Sequence, residues 1–492
     1  MSNLQTAPAK QKPITHTNER MSYALLFFAA LITRFVSFTK TDNEQTPLFD
    51  EKHYAPQSYD MVKSFINPLL GGIESNPGYG LVVHPPLAKQ LQSIGEMIFG
   101  YTPLGWRVVA AFFGAATIIV IRAIARELTG SAALANTAGI LALFDGVLLV
   151  TSRSGMLDIF QTFFIVAATY TFIKDWNSTT ALLPTAPRTE FGPRLGYRWW
   201  LLTTGVLLGC AVSVKWSGLY YMAFLGIASV VLDWHRRRQA NVRYAFFGTL
   251  FLDSFKAFFY LVIIPIGVYV WSWRAWFASE TAVFRHAKES GSIDQASLLQ
   301  FFPNTLANWL HYHSSVLKFH ASLTTSSGHD HPFDSKPWEW LIGGKPILYY
   351  SSNHECFGTN CAEKIYLFGT PTIWWLTVPV IVLALGIWLY RRSWKYAIPV
   401  IVFMAGFIPW LIGYDRQMYF FYATPLVPMT IICLTLLLGD LARKYPRIGL
   451  WTLTTIVGTA TAQFFFFSPI LYGYALPESW FPALLWFPYW GS

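Results

Sequence analysis

The chain has 492 residues, 53% of them hydrophobic and only 13% charged, with a net charge of +10. Soluble globular chains carry roughly 25% charged residues, so a soluble multidomain protein is excluded, and repeated apolar runs of about 18–25 residues become the unit of organisation. The Lys and Arg residues fall in short clusters between those runs, which encodes membrane orientation and does not point to nucleic acid.

Residues 1–20 are polar and carry Lys10, Lys12 and Arg20. The apolar segment 22–38 has no small-residue cleavage site after it, so an uncleaved first span with a cytoplasmic basic flank is expected. A first outer loop, 40–103, follows and holds LFDEKHYAPQ, GGIESNPGYG and HPPLAKQLQSIGEMIFG. Within it Leu87, Leu91, Ile94 and Ile98 recur at helical spacing opposite Lys89, Gln92 and Glu96, predicting a short helix along the interface or packed on the protein.

Apolar segments then lie at 105–124, 131–151, 155–173, 199–214, 216–233 and 245–271. Arg122 with Arg126, then Lys174 through Arg198, then Arg236, Arg237, Arg238 and Arg243 mark alternate connections as cytoplasmic, which puts the turns near Arg153 and Lys215 outside. A second outer segment, 272–369, is too long for a linker. Leu299, Phe302, Leu306, Leu310, Val316 and Leu317 make part of it loosely helical, SSGHDHPFDSKPWEW reads as irregular loop, and together they predict a small ordered cap.

Spans at 371–390, 397–412, 418–439 and 450–471 bring the total to about eleven. An odd number returns the C-terminus to the outer face, where Trp480, Trp486, Tyr489 and Trp490 suit an aromatic belt. The expected architecture is an all-α polytopic membrane protein: an N-terminal transmembrane part (1–271), a large outer loop (272–369) and a C-terminal transmembrane part (370–492).

Ionisable residues gather toward the outer ends of the spans: Asp50, Glu51, His84, Arg107, Asp145, Arg153, Asp158, Lys215, Asp415 and Arg416. Charges beside hydrocarbon are costly and usually functional, although a single Arg serves equally well as a snorkelling anchor or internal ion-pair partner. A carboxylate can take a proton from an incoming hydroxyl, while Lys and Arg stabilise negative charge on a phosphate leaving group. The pattern therefore fits transfer of a group from an anionic lipid to an acceptor outside the cell. Neither job needs a nucleotide motif, and no GxxxxGK[ST] occurs.

GHDHP is a local candidate for a metal, but His residues two apart on a helix do not share a face. No metal ligand is assigned, no cofactor is called for, and a divalent metal is left open. Trp338 and Trp340 read as sugar-stacking or core residues, with core the default. Cys356 and Cys361 are near each other in a compartment that permits disulfides, so they are a disulfide candidate, the alternative being two buried thiols.

The ordered series LFDEKHYAPQ, HPPLAKQL, GWRVVAAFFG, LFDGVLLVTSRSGMLD, VSVKWSGLY, HYHSSVLKFHASLTT, HPFDSKPWEWLIGGKPILYY, YLFGTPTIWW and DRQMYFFYATPLVP spans most of the chain. It resembles the protein O-mannosyltransferases, polytopic glycosyltransferases of the GT-C class, and most closely their shorter actinobacterial members. The resemblance implies a GT-C fold and inverting transfer of mannose from polyprenyl-phosphate mannose to Ser/Thr hydroxyls of secreted or membrane proteins. It places the reaction at the outer face of a bacterial plasma membrane.

By motif, Asp50 matches the family's catalytic base, with Glu51 holding the acceptor or supporting Asp50. Lys215 matches a basic residue near the lipid phosphate, and Arg107 an arginine that family members require. Arg107, Arg416 and Arg153 are further candidates for binding the donor phosphate, and His84, Tyr54 and Trp338 substrate-binding candidates. The second loop has no room for the β-trefoil MIR domain of fungal and animal members. Partners in the export machinery would suit an enzyme acting on unfolded chains, though no residue specifies one. The nearest alternatives are a GT-C transferase acting on a lipid or polysaccharide, and a lipid or sugar transporter, which would place its charges near mid-membrane.

Overall fold

The computed structural model describes residues 16–41, 45–74, 83–182, 189–328, 331–356 and 358–491. Lys10 and Lys12 of the basic flank, residues 75–80 of GGIESNPGYG, and His329 of GHDHP lie outside the described residues. Helix α1 (His16–Phe35) is followed by α2 (Glu51–Lys63) and α3 (Leu87–Phe99) in the first outer loop. Next come α4 (Pro103–Thr129), the broken pair α5 (Ala132–Leu143) and α6 (Gly146–Thr151), α7 (Asp158–Leu182), α8 (Trp199–Val214), α9 (Gly218–Gln239) and α10 (Ala245–Ser272). The second outer segment contributes α11 (Asn304–Ser322) and the strands β1 (Ile347–Cys356) and β2 (Thr359–Leu367). Helices α12 (Pro371–Arg391), α13 (Trp394–Ile412), α14 (Leu426–Lys444) and α15 (Pro446–Tyr472) complete the membrane part, and β3 (Leu476–Pro477) joins the edge of β2.

With α5 and α6 taken as one column, the predicted apolar segments each find a helix. Among the described residues, six helices (α4, α10, α12, α13, α14 and α15) are long and apolar enough by composition to cross a membrane. Two boundaries differ for local reasons. The column predicted at 131–151 breaks at Asp145, whose side chain caps α6 by accepting from the Leu148 amide at 2.9 Å and from Trp374 Nε1 at 2.8 Å. The span predicted from 418 starts only at Leu426, because Phe420–Ala423 form a 3-10 turn and Pro425 has no N–H with which to continue a helix backward.

In α3 the burial is the reverse of a soluble helix. Lys89, Gln92, Ser93 and Glu96 are buried, while Ile94 (49%) and Ile98 (67%) are exposed. The polar face packs on the protein, and of the apolar row Ile94 and Ile98 point outward while Leu87 is buried in the core, as suits a helix whose C-terminal half meets lipid rather than water. Similarly, α11 buries Ala307, Asn308, Tyr312 and Val316 and leaves Leu306 and Leu317 of the predicted apolar row exposed.

The β-hairpin departs from the all-α architecture expected from the sequence, in which the cap is part helix and part irregular loop. Its strands pair antiparallel from Ile347 opposite Leu367 to Cys356 opposite Thr359, turning at Gly358 (φ 71°). Aromatic and β-branched residues at Ile347, Tyr349, Tyr350, Ile365 and Tyr366 carry the strand propensity. Cys356 and Cys361 are disulfide-bonded across the tip, with Cα atoms 5.6 Å apart.

At the end of the bundle away from the outer loops, Arg198 bridges Asp175 and Asp233, Arg236 also meets Asp233, and Arg237 binds Asp253 at 2.7 Å. These buried cations are thereby paired, as charges removed from water must be.

Candidate active site

The DE pair sits at the start of α2, where Asp50 is the N-cap residue and Glu51 the first helical residue. Phe49, just before it, has a left-handed backbone (φ 46°), a conformation rare for a bulky side chain. Its ring is stacked on Tyr349 of β1 at 4.8 Å between centroids. The hairpin that the sequence did not announce is therefore what holds the turn presenting Asp50.

The adjacent carboxylates have opposite surroundings. Glu51 is fully buried; Arg107 Nε donates to its Oε1 and Arg107 Nη2 to its Oε2, both at 2.7 Å. The Gly155 amide donates to Oε1 at 2.7 Å and the Leu48 amide to Oε2 at 2.9 Å. Each oxygen thus has two donors, leaving Glu51 no free capacity to hold an acceptor, and its geometry is that of a support. Asp50 makes no capping bond, and none of the described residues hydrogen-bonds its carboxylate. Burial pushes the Asp50 carboxyl up to about 6 against the pull of Lys215 and His53, with Asp158 adding to the rise.

Lys215 lies at the turn from α8 to α9, 6% exposed, with its Nζ 2.8 and 2.9 Å from the two oxygens of Asp158 at the start of α7. The Phe421 and Tyr422 rings stand 5.2 and 5.7 Å from the ammonium. Gln161 fixes the turn by donating to the Lys215 carbonyl at 3.0 Å. Asp158, Lys215, His84, His320, Arg416 and Tyr422 line one cavity of about 240 Å³.

Arg416 enters this cavity from the connection between α13 and α14. Its Nη2 donates to His320 Nδ1 at 3.0 Å, its Nε is buried without a hydrogen-bond partner, and it has no acidic partner among the described residues. His320 Nε2 is 3.1 Å from the Val83 carbonyl, which makes Nδ1 the acceptor. Burial and then Arg416 push His320 down to about 4, so its imidazole is neutral and can take the Arg416 proton donor. Burial also lowers His84, whose ring is 5.6 Å from that of His320 and 6.0 Å from that of Tyr54. Tyr54 is buried on α2, and burial together with Asp50 raises its phenol, so it stays a neutral hydroxyl.

Three sequence expectations change. Arg107 is not positioned for a phosphate, because all three guanidinium nitrogens are engaged: Nη1 donates to the Phe38 and Lys40 carbonyls at 3.0 and 2.8 Å, and the other two hold Glu51. Arg153 lies over the Tyr472 ring at 4.3 Å, its Nη2 donates to the Val36 and Ser37 carbonyls and its Nη1 to the Leu471 carbonyl at 3.5 Å; its Nε is buried without a hydrogen-bond partner, and it does not line the cavity that holds Arg416. Trp338 is 53% exposed and lines none of the cavity, whereas Trp340 is fully buried beside Trp410 and Tyr422.

The sequence picks out Asp158 only as one of the outer ionisable residues, with no role, and assigns His320 and Tyr349 no place in the site. Asp158 had a readable signal, a lone acid opening a span on the side where Lys215 opens another; Tyr349 had none, because its position depends on the hairpin. Among the described residues no group of three or more His, Cys, Asp or Glu side chains could hold a metal ion.

The helical scaffold matches solved structures. The S. cerevisiae protein O-mannosyltransferase Pmt1-Pmt2 complex bound to the sugar donor aligns with a TM-score of 0.74 at 14% identity, covering 97% of this chain and 93% of that one. ArnT from Cupriavidus metallidurans bound to undecaprenyl phosphate aligns at 0.52 and 16%, covering 89% of this chain and 63% of that one. The protein thus has the fold of the GT-C class of polytopic glycosyltransferases. The family model for dolichyl-phosphate-mannose-protein mannosyltransferase matches residues 25–277, and that for the C-terminal four-transmembrane region of protein-O-mannosyltransferase matches 305–490. A polyprenol-phosphate-mannose–protein mannosyltransferase of Corynebacterium glutamicum is 56% identical over 95% of this chain and 93% of its own, and one of Mycobacterium tuberculosis is 37% identical over 95% and 91%. The chain belongs to the protein mannosyltransferase family.

Proposed function

We propose that this enzyme transfers mannose from polyprenyl-phosphate mannose to Ser or Thr hydroxyls of exported proteins, at the outer face of a bacterial plasma membrane. The N-terminus is then cytoplasmic and the C-terminus outside. The observation carrying this reading is the free Asp50 carboxylate, set in the electrostatic field of Lys215 and close to a cavity that also holds Arg416. The names of the bacterial relatives supply the sugar and the acceptor class.

In the reaction the acceptor oxygen attacks the anomeric carbon from the face opposite the phosphate, the new C–O bond forms as the bond to the phosphate oxygen breaks, and the configuration inverts. The hydroxyl proton passes to Asp50, and polyprenyl phosphate leaves carrying the electron pair toward Lys215 and Arg416. His84 and Tyr54, both neutral, supply hydrogen bonds to the sugar. The test is transfer from synthetic polyprenyl-phosphate mannose to a Ser/Thr-rich peptide by the purified protein, with and without chelator. Sugar appearing only on lipid or polysaccharide acceptors would overturn the proposal.

Three results are expected. The rate should fall on the acid side with a midpoint near pH 6 rather than near pH 4, because Asp50 must be ionised to accept a proton and its carboxyl is raised to about 6. A profile flat down to pH 5 would exclude Asp50 as the base. Arg416→Gln should lower kcat/KM for the donor by about 10- to 100-fold, the worth of a lost charged hydrogen bond. Arg153→Gln should lower thermal stability while leaving donor KM unchanged, since its bonds run to backbone carbonyls and an aromatic ring.

A further inference from the structure

A second cavity lies elsewhere. A cleft of about 850 Å³ opens between α9 and the α12–α13 pair, walled by Ile227, Val231, Trp388 and Ile401. Ile227 and Val231 are 66% and 51% exposed. Along one rim stand His235, Arg238 and Arg392. Lys215 precedes the first turn of α9 and Arg238 is in its last turn, so at 1.5 Å per residue the rim lies about 33 Å from the catalytic lysine, a full hydrocarbon thickness away.

The cations at this end divide into two sets. Arg198, Arg236 and Arg237 turn into the protein and are paired with Asp175, Asp233 and Asp253. Arg238 and Arg392 have no acidic partner among the described residues; Arg238 only lies over Trp234 at 5.4 Å. Arg392 moreover adopts a left-handed backbone (φ 52°) at the C-cap of α12, where glycine is the usual occupant. Orientation by positive charge explains cations at this end, but not why the unpaired ones rim an apolar cleft.

We propose that the cleft is a binding site for an anionic phospholipid of the leaflet opposite the active site. An acyl chain lies between α9 and α13, and the phosphate is held by Arg238 and Arg392. A basic pocket between membrane helices is the chemistry that retains anionic headgroups, whereas a hydrocarbon tail alone would have no use for the rim.

The test uses the full-length protein, delipidated in detergent and titrated with phosphatidylglycerol or phosphatidylcholine while bound lipid is counted by native mass spectrometry. Phosphatidylglycerol should bind on the order of tenfold more tightly, and Arg238→Gln/Arg392→Gln should remove that preference while Arg238→Lys/Arg392→Lys keeps it. Equal retention of the two lipids, or a preference surviving the glutamine pair, would overturn the proposal. Displacement of the phosphatidylglycerol by polyprenyl phosphate would overturn it too, assigning the cleft to the donor's tail.

Discussion

Asp50→Asn is expected to reduce mannose transfer by about 100- to 10,000-fold, with the thermal unfolding curve and donor binding unchanged. The substitution keeps the shape of the side chain and removes only its basicity. A serine or threonine hydroxyl is a weak nucleophile until its proton is leaving, so the loss falls on kcat. Because Asp50 makes no capping bond for α2, the amide breaks no hydrogen bond. Single-turnover transfer by the purified variant in nanodiscs measures this directly, and a wild-type rate would remove Asp50 from the mechanism.

Glu51→Gln should behave in the opposite way, through stability. The neutral amide cannot satisfy four donors, and it leaves the Arg107 guanidinium buried without its counter-charge. Breaking one side of a buried ion pair costs about 3–5 kcal/mol, so the unfolding midpoint should fall and transfer should fall with it as the Asp50 turn loosens. Acceptor KM measured on the surviving folded enzyme should stay near wild type, since Glu51 has no lone pair left for an acceptor. In Glu51→Gln/Arg107→Gln the destabilisation should be smaller than the sum of the two single changes, because the pair is removed together. Additive losses would show that the two residues act separately.

The membrane columns could be read from the chain because their signal is local: a long apolar run needs no partner to be recognised. The same holds for Lys215 and Asp50, which stand beside such runs. What could not be read depended on distant partners. Arg107 and Arg416 look alike in sequence, both arginines next to an apolar run, yet one is fully bonded to Glu51 and backbone carbonyls and the other keeps a buried, unpartnered Nε. Only the fold separates them. The placement of α3 stays open in the sequence for a related reason, since periodicity reports two faces but not which of them meets lipid. Trp338 and Trp340 fall on different sides because a short helix, Pro337–Trp340, turns them apart.

The Glu51 clamp also has a consequence in time. Its donors come from Arg107 and from the Gly155 amide, the latter 104 residues downstream. At about 5–20 residues per second, a ribosome takes roughly 5–20 s to deliver that partner after Glu51 itself is made. During this interval the Glu51 carboxylate lacks its Gly155 donor, and Arg416 arrives later still. The turn that carries Asp50 therefore gains its full set of bonds only after α4 and the break before α7 have been synthesised, so the geometry around Asp50 is the product of a long stretch of chain and not of the first loop alone.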